Sequence, residues 1–118
     1  MRPVFLYDFP KSKAALAKIR DEVPPVASRF EVYFKGMELA NGFHELQDVN
    51  EQRKRFETEL AYRAQHDLPR VTLDEKFLAA LASGLPECSG VALGVDRVIM
   101  LALEVNSITD VITFGLEN

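Results

Sequence analysis

At 118 residues, the chain has the length of one ordinary domain, and an apolar content of 47% suffices for a core. A net charge of −4 gives no basic footprint of the kind that nucleic-acid-binding proteins show, and no apolar run or signal peptide points to a membrane. The single cysteine, Cys88, excludes an internal disulfide and is compatible with a reducing compartment, so we predict a cytoplasmic protein.

The first predicted elements are a short strand and a short helix. Residues 4–7 form an apolar run that is typical of a strand. Ser12 is expected to cap a helix over residues 12–19. Pro24 and Pro25 then break the chain before the next strand.

A β-hairpin is the most informative part of the chain. Charged residues alternate with aromatic and β-branched ones over residues 30–34, the pair Lys35-Gly36 is a tight-turn signal, and a second extended run follows. With that loop, Glu31 pairs with Ala40, so Glu31 and Glu38 form a diagonal pair on one face. Two carboxylates this close repel each other unless a positive charge lies between them, and we therefore predict a bound cation.

The second strand of the hairpin carries two further polar residues. Glu38, Asn41 and Glu45 cannot share one face of a regular strand, because side chains alternate. Because Asn41-Gly42 tolerates positive φ, we predict a β-bulge there that returns Glu45 to the face of Glu38. A helix would align the same residues, although Gly36 and Gly42 favour the strand. A solvated acidic face is the alternative to a site.

The remaining elements complete the predicted fold. Asp48 is expected to cap an amphipathic helix over residues 48–66, and a Thr72 and Glu75 capping box opens a second helix that ends near residue 84. Residues 90–95 predict a strand that is apolar on both faces and therefore buried. A helix from Asp96 to about residue 105 and a strand over residues 111–114 follow. We therefore predict an α+β protein with a mainly antiparallel sheet and flanking helices.

Arg97 is the second indication of a site. It follows a strand of glycines and small apolar residues and opens an apolar helix, where the helix dipole disfavours a guanidinium and partial burial demands an anion. An ion pair with Asp96 or another acid would supply that anion. A phosphate would supply it as well, and helix N-terminal amides also favour a phosphate. Gly90 and Gly94 would let a flat ligand approach the backbone.

Two motifs resemble one protein family. Residues 90–97 (Gly-Val-Ala-Leu-Gly-Val-Asp-Arg) are similar to motif 3 of the class II aminoacyl-tRNA synthetases, and residues 38–46 (Glu-Leu-Ala-Asn-Gly-Phe-His-Glu-Leu) resemble the substrate hairpin of the lysyl branch. Within that branch, residues 7–10 and 88–94 are most similar to the synthetase-like ligases that attach β-lysine to elongation factor P. True lysyl enzymes usually have glycine where Ala92 stands.

The resemblance implies roles for individual residues. It implies ATP and Mg²⁺ as cofactors, with Glu31 and Glu38 as metal ligands and Arg97 as the catalytic clamp on the γ-phosphate. The cofactor-binding residues that it implies are Glu31, Glu38, Asn41, Gly94 and Arg97. The substrate-binding residues that it implies are Asn41, Glu45, Gly90 and Ala92. Glu45 would accept the side-chain ammonium of lysine or β-lysine, and Ala92 would shift preference between the two.

The resemblance also implies a reaction and its partners. Residues 1–118 would be the C-terminal segment of a class II catalytic domain that includes motif 3 and lacks motifs 1 and 2. The parent enzyme would activate lysine or β-lysine as an adenylate and ligate it to a lysine of elongation factor P, as a homo-oligomer, expected to be a dimer, that contacts no membrane. Without motif 2, this chain is expected to be inactive alone. A lysyl-tRNA synthetase is the first alternative, and a non-catalytic amino-acid-binding paralogue is the second.

Overall fold

One antiparallel sheet with helices beside it forms the fold, as a computed structural model that describes residues 2–115 shows. The strands are β1 (Val4–Pro10), β2 (Ile19–Arg20), β3 (Val26–Phe34), β4 (Met37–His44) and β5 (Ser89–Leu93). Their order in the sheet is β1-β3-β4-β5, and the short β2 pairs with β3. The helices are α1 (Val49–Gln65), α2 (Glu75–Ala82) and α3 (Val95–Leu103). The predicted α+β class is confirmed, and no helix within residues 2–115 could cross a membrane.

The β3–β4 hairpin begins as the sequence predicts. Lys35 and Gly36 form the loop, and both have positive φ, at 50° and 79°. Positive φ at both loop residues is the conformation of the hairpin turn that matches strand twist. Tyr33 then pairs with Glu38, next to the loop.

Farther from the loop, the register differs from the prediction. It shifts between Val32 and Tyr33, and Glu31 pairs with Asn41, whereas the sequence predicted Ala40. Leu39 is therefore the extra residue on β4. The bulge predicted at Asn41-Gly42 was wrong in position, because both residues lie in regular pairing with β3. Local tolerance of positive φ identified a permitted site for the bulge, whereas strand pairing decided where it formed.

The helix predicted over residues 12–19 is also wrong. Lys11–Lys13 form a short 3₁₀ turn, and Ala15 has a φ of 50°, which breaks helical geometry. The segment is bound to the hairpin through its backbone instead, with bonds such as Lys18 N–H to His44 O at 2.7 Å. It contributes Ala14 and Ala17 to a small core with Ala27 of β3. These tertiary bonds replace the i to i−4 bonds that a helix would have formed.

Helices α1 and α2 follow the predicted pattern, with one different cap. The Asp48 carboxylate accepts from the Asn50 and Glu51 N–H groups at 2.8 and 3.0 Å, as expected of an N-cap. The cap of α2 is Asp74, which accepts from Phe77 N–H at 2.9 Å, and not the predicted Thr72. The two helices pack through the Phe56–Phe77 ring pair and the bidentate Arg53–Glu75 ion pair, and α2 also contributes the buried Leu78 and Leu81.

The C-terminal third departs from the prediction in two places. Strand β5 was expected to be buried, but it lies at the sheet edge, where Val91 and Leu93 are 65% and 57% exposed. The strand predicted over residues 111–114 does not form, because a 3₁₀ turn at Ile108–Asp110 is followed by local bonds such as Ile112 N–H to Ile108 O. An apolar run predicts an extended or buried segment but does not say which neighbours cover it.

We predict that Gly42→Ala destabilises the sheet. A Cβ at Gly42 would lie 2.6 Å from Phe30 Cζ and 2.8 Å from the Gly90 carbonyl oxygen, so the β4–β5 pairing must shift. We expect the free energy of unfolding to fall by about 1–3 kcal/mol in urea titrations. Gly115→Ala is the matched control, because its Cβ would meet side-chain atoms at 3.6 and 3.8 Å. Equal stability of the two variants would contradict this prediction.

Candidate functional site

The extra residue Leu39 brings the polar residues of the hairpin to one face. It reverses the alternation of side chains, so Glu38 and Asn41 point to the same side although they are three residues apart. The Asn41 Nδ2 donates to Glu38 Oε1 at 3.2 Å. Asn41 is the cross-strand partner of Glu31, and Glu38 is the partner of Tyr33. We call the side that carries Glu31, Tyr33, Glu38 and Asn41 the hairpin face.

Glu45 extends this face toward β5. It lies just beyond β4, and its N–H donates to Cys88 O at 3.0 Å. Gly90 pairs with Phe43, and the Glu45 carboxylate occupies the space where a Cβ on Gly90 would lie. Gly90 is therefore required for the close approach of this carboxylate to the backbone of β5.

The end of β5 and the start of α3 are bound to the bulge. Ala92 pairs with Asn41, so its methyl group lies on the hairpin face. Gly94 N–H donates to Leu39 O at 2.8 Å, and Arg97 Nη1 donates to Glu38 O at 2.6 Å. The structure thus brings together Glu38, Asn41, Gly94 and Arg97, which the sequence separates by up to 59 positions.

The surroundings of Arg97 differ from the expectation. We predicted a partly buried guanidinium with an anionic partner, but the residue is exposed and its partner is a backbone carbonyl. Because α3 lies at the end of an edge strand, its first turn faces solvent. A guanidinium has five N–H donors, so this single bond leaves others able to meet a ligand.

Two residues that the sequence analysis missed hold Glu31. Its carboxylate, 7% exposed as a residue, accepts from Arg29 at Oε1 and from the Tyr33 hydroxyl at Oε2, the latter at 2.7 Å. The positive charge beside Glu31, which we predicted as a bound cation, is thus supplied by the chain. The bond to Glu31 raises the pKa of the Tyr33 phenol, and burial and nearby carboxylates raise it further. The i, i+2, i+4 spacing of Arg29, Glu31 and Tyr33 could have revealed this cluster.

The hairpin face suits Mg²⁺ only when phosphates accompany the metal. Mg²⁺ is usually bound through one or two carboxylates together with substrate phosphates and water. Within residues 2–115, no group of three or more His, Cys, Asp or Glu side chains could hold a metal ion. Glu38 and Glu31 supply two carboxylates, of which Glu31 already accepts a bond on each oxygen. This donor set fits a nucleotide-borne Mg²⁺ and not a site built by protein alone.

A cavity of about 200 Å³ adjoins Glu45. It is mostly apolar, with Leu46, Phe77 and Leu81 in its wall, and it also contacts Gln52, which is 1% exposed. An acidic group at the edge of an apolar cavity suits an aliphatic chain that carries an amine. A larger cleft of about 1040 Å³ lies along α1 and is not lined by Glu38, Asn41 or Arg97, so we do not place the site there.

A surface cluster holds the chain around Glu45 in place. Glu87 Oε1 lies 3.2 Å from Lys18 Nζ and 3.2 Å from His44 Nε2. Its pKa is lowered first by the hydrogen bond and charge of Lys18 and then by His44. The cluster joins the loop before β5 to His44, the last residue of β4, which directly precedes Glu45.

The comparisons with known proteins agree with these motifs. The family model described as tRNA synthetases class II (D, K and N) matches residues 1–118. An elongation factor P–(R)-beta-lysine ligase of Pectobacterium carotovorum is 60% identical over 98% of this chain and 36% of its own length. Ligases of the same name from Haemophilus ducreyi and Proteus mirabilis are 60% and 63% identical, over 98% and 96% of this chain and 36% and 35% of theirs. The chain thus spans little more than a third of the length of these curated relatives.

We predict that Glu87→Gln weakens the dependence of stability on acid pH. A lowered carboxyl pKa in the folded state stabilises the protein above the unfolded value, about 4.3 for Glu, and this contribution is lost as the pH falls through the folded value. The wild type should therefore exceed the variant in urea midpoint at neutral pH, by a small and salt-sensitive margin because the cluster is exposed. The margin should shrink below about pH 4.3.

The control for this experiment is Glu57→Gln on the exposed side of α1. A margin for Glu87→Gln that grows as the pH falls would contradict the assignment.

Proposed function

Because the chain belongs to the family of class II tRNA synthetases (D, K and N), we propose that it acts in an ATP-dependent ligase that joins lysine or β-lysine to elongation factor P. The names of the relatives support this acceptor, since the first three are all elongation factor P–(R)-beta-lysine ligases. The observation that carries the proposal is the convergence of Glu38, Asn41, Glu45 and Arg97 around the Leu39 bulge and β5.

In this proposal, Arg97 and the start of α3 bind the triphosphate. Arg97 remains fixed by its bond to Glu38 O while its other donors clamp the γ-phosphate. Because Gly94 has no side chain, the nucleotide can approach the backbone closely there. Glu38 and Glu31 would hold the Mg²⁺ that accompanies the phosphates, and the bond from Asn41 would orient Glu38. Bound Mg²⁺ neutralises the charge of the triphosphate.

The amino acid occupies the other end of the hairpin face. Glu45 accepts its side-chain ammonium in a charge-assisted bond, and the apolar cavity beside Glu45 takes the aliphatic chain. The substrate carboxylate attacks the α-phosphorus of ATP and pyrophosphate leaves; a lysine amine of the acceptor then displaces AMP. No enzyme nucleophile is required, because positioning and charge neutralisation provide the catalysis.

The Ala92 methyl adjusts the choice of substrate in this scheme. It lies on the hairpin face opposite Asn41, together with Gly90, in the wall that the amino acid meets. One methyl group contributes only about 1–3 kcal/mol of discrimination, so Ala92 shifts preference between lysine and β-lysine without excluding either. A lysyl-tRNA synthetase is the second candidate, and the protein acceptor named in the relatives favours the ligase.

Three broader expectations from the sequence also stand as proposals. Residues 1–118 form the C-terminal segment of the catalytic domain, and this segment is inactive without motif 2. The protein acts in the cytoplasm, which its free Cys88 suits. It associates as a dimer, since the exposed apolar side chains of edge strand β1, such as Phe5 and Tyr7 at 61% and 73%, favour self-association.

The activity can be tested in a chimera. In this chimera, residues 1–118 replace the matching segment of the Pectobacterium carotovorum ligase. We expect the chimera to retain ATP- and Mg²⁺-dependent ligation of β-lysine to elongation factor P. Arg97→Ala should reduce kcat/KM at least about tenfold, because one charged hydrogen bond contributes about 1.5–3 kcal/mol. Arg70→Ala, in the exposed segment before α2, is the control. Full activity of Arg97→Ala, or ligation only to tRNA, would refute the proposal.

We predict that Gly90→Ala impairs recognition of the amino acid. A Cβ at position 90 displaces the Glu45 carboxylate, so KM for β-lysine should rise about tenfold while KM for ATP changes little. The same chimera serves for the measurement. Gly115→Ala is the matched control, and Glu45→Gln should mimic the defect. Equal increases in both KM values would place Glu45 outside the amino-acid site.

A further inference from the structure

We propose that Arg29 and Tyr33 are positioning residues that hold the Glu31 carboxylate in one orientation toward a Mg²⁺-bound nucleotide. This inference rests on the proposed function, because it assumes that the hairpin face binds such a nucleotide. Arg29 and Tyr33 do not themselves contact the ligand in this scheme. Neither the motifs nor the family comparison assigns a role to them.

We call the two hydrogen bonds that hold the Glu31 carboxylate the grip, and one of them forms on each oxygen. Arg29 donates to Oε1, and the Tyr33 hydroxyl donates to Oε2 at 2.7 Å, so rotation of the carboxylate would break both bonds. The side chain of Glu31 is only 9% exposed, and that of Arg29 is 19% exposed, so little solvent screens their attraction. An ionised carboxylate has about four lone-pair directions, and each oxygen therefore keeps one for a metal ion.

Arg29 is itself fixed from the opposite side. Its Nη1 donates to Lys13 O at 2.8 Å, and its guanidinium carbon lies 4.5 Å from the centre of the Phe9 ring and 5.8 Å from that of Phe43. A guanidinium can stack on aromatic rings in this way while its N–H groups remain free to donate in its own plane. A lysine could supply the charge but not the fork that bonds Lys13 and Glu31 together. The arrangement therefore depends on arginine geometry and not on charge alone.

The grip also reduces the charge repulsion on the hairpin face when no metal ion is bound. Glu31 lies opposite Asn41, and Asn41 bonds to Glu38, so two carboxylates lie close together across the strands. The pairing with Arg29 offsets one of these charges. A carboxylate that is already oriented binds a cation without reorganisation. Replacing a residue that hydrogen-bonds to a metal ligand commonly reduces metal affinity about 10–100-fold.

The first measurement separates metal binding from nucleotide binding. Calorimetry of the chimera with ATP at increasing Mg²⁺ should show that Arg29→Lys and Tyr33→Phe each need about tenfold more Mg²⁺ for half-maximal ATP binding. Binding of ATP without Mg²⁺ should change much less. The matched controls are Arg70→Lys and Tyr62→Phe, whose residues lie outside the hairpin, and circular dichroism checks the fold of each variant.

Two outcomes of the calorimetry would overturn the inference. Equal losses with and without Mg²⁺ would mean that the residues serve the fold alone. Tighter Mg²⁺ binding in Arg29→Lys would mean that Arg29 competes with the metal and does not position its ligand.

The second measurement does not involve ATP. A double-mutant cycle in urea unfolding compares Arg29→Met, Glu31→Gln and the variant with both changes. Because Arg29 donates to the Glu31 carboxylate, the double variant should lose clearly less in urea midpoint than the sum of the two single losses. Tyr33→Phe combined with Glu31→Gln should behave in the same way.

This cycle distinguishes the two proposals. If the losses in urea midpoint simply add, the bonds to Glu31 do not hold it and the inference is wrong. If the losses are coupled but the chimera binds no ATP at any Mg²⁺ concentration, the proposed function fails and the metal-directed part of the inference fails with it.

Discussion

The candidate site depends on one extra residue in β4. Leu39 shifts the register of the hairpin, which turns Glu38 and Asn41 to the same side, and its carbonyl accepts the N–H of Gly94 at the start of α3. The neighbouring carbonyl, that of Glu38, accepts Arg97. A regular strand would direct these two carbonyls to opposite edges of the ribbon, so the bulge determines both which side chains share a face and where α3 begins. Bulges are frequent beside active sites for this reason.

The electrostatics of the hairpin face follow from the same geometry. Close carboxylates usually imply a cation, but the structure offsets Glu31 with Arg29 from within the same strand. The exposed guanidinium of Arg97, at the N-terminal end of an apolar helix, is held by a carbonyl and so retains donors for an anion. The molecule therefore presents carboxylates on the hairpin face and, near them, a guanidinium with donors to spare. The Mg²⁺-bound triphosphate that we propose as ligand has a complementary distribution of charge.

Close backbone approach is the second constraint on the site. Gly90 leaves space that the Glu45 carboxylate fills, and Gly42 leaves space for the Phe30 ring and the Gly90 carbonyl. A Cβ at Gly42 would push β4 and β5 apart, whereas a Cβ at Gly90 would displace the Glu45 carboxylate. The position of Glu45 is thus set by packing between strands as much as by its own rotamer. Phe77, Ala80 and Leu81 of α2 line the apolar cavity beside it, so the helical layer contributes to the surroundings of Glu45.

Local periodicity, turn chemistry and contiguous motifs were enough to predict the fold class, the hairpin loop at Lys35-Gly36, the cap of α1 at Asp48 and the family. The position of the bulge and the exposure of β5 could not be predicted in this way, and the elements expected over residues 12–19 and 111–114 did not form. The bond from Arg29 to Glu31 was also seen only in the folded chain. A sequence pattern specifies the period of a segment, whereas register, burial and ion pairing depend on which distant segments the chain brings beside it.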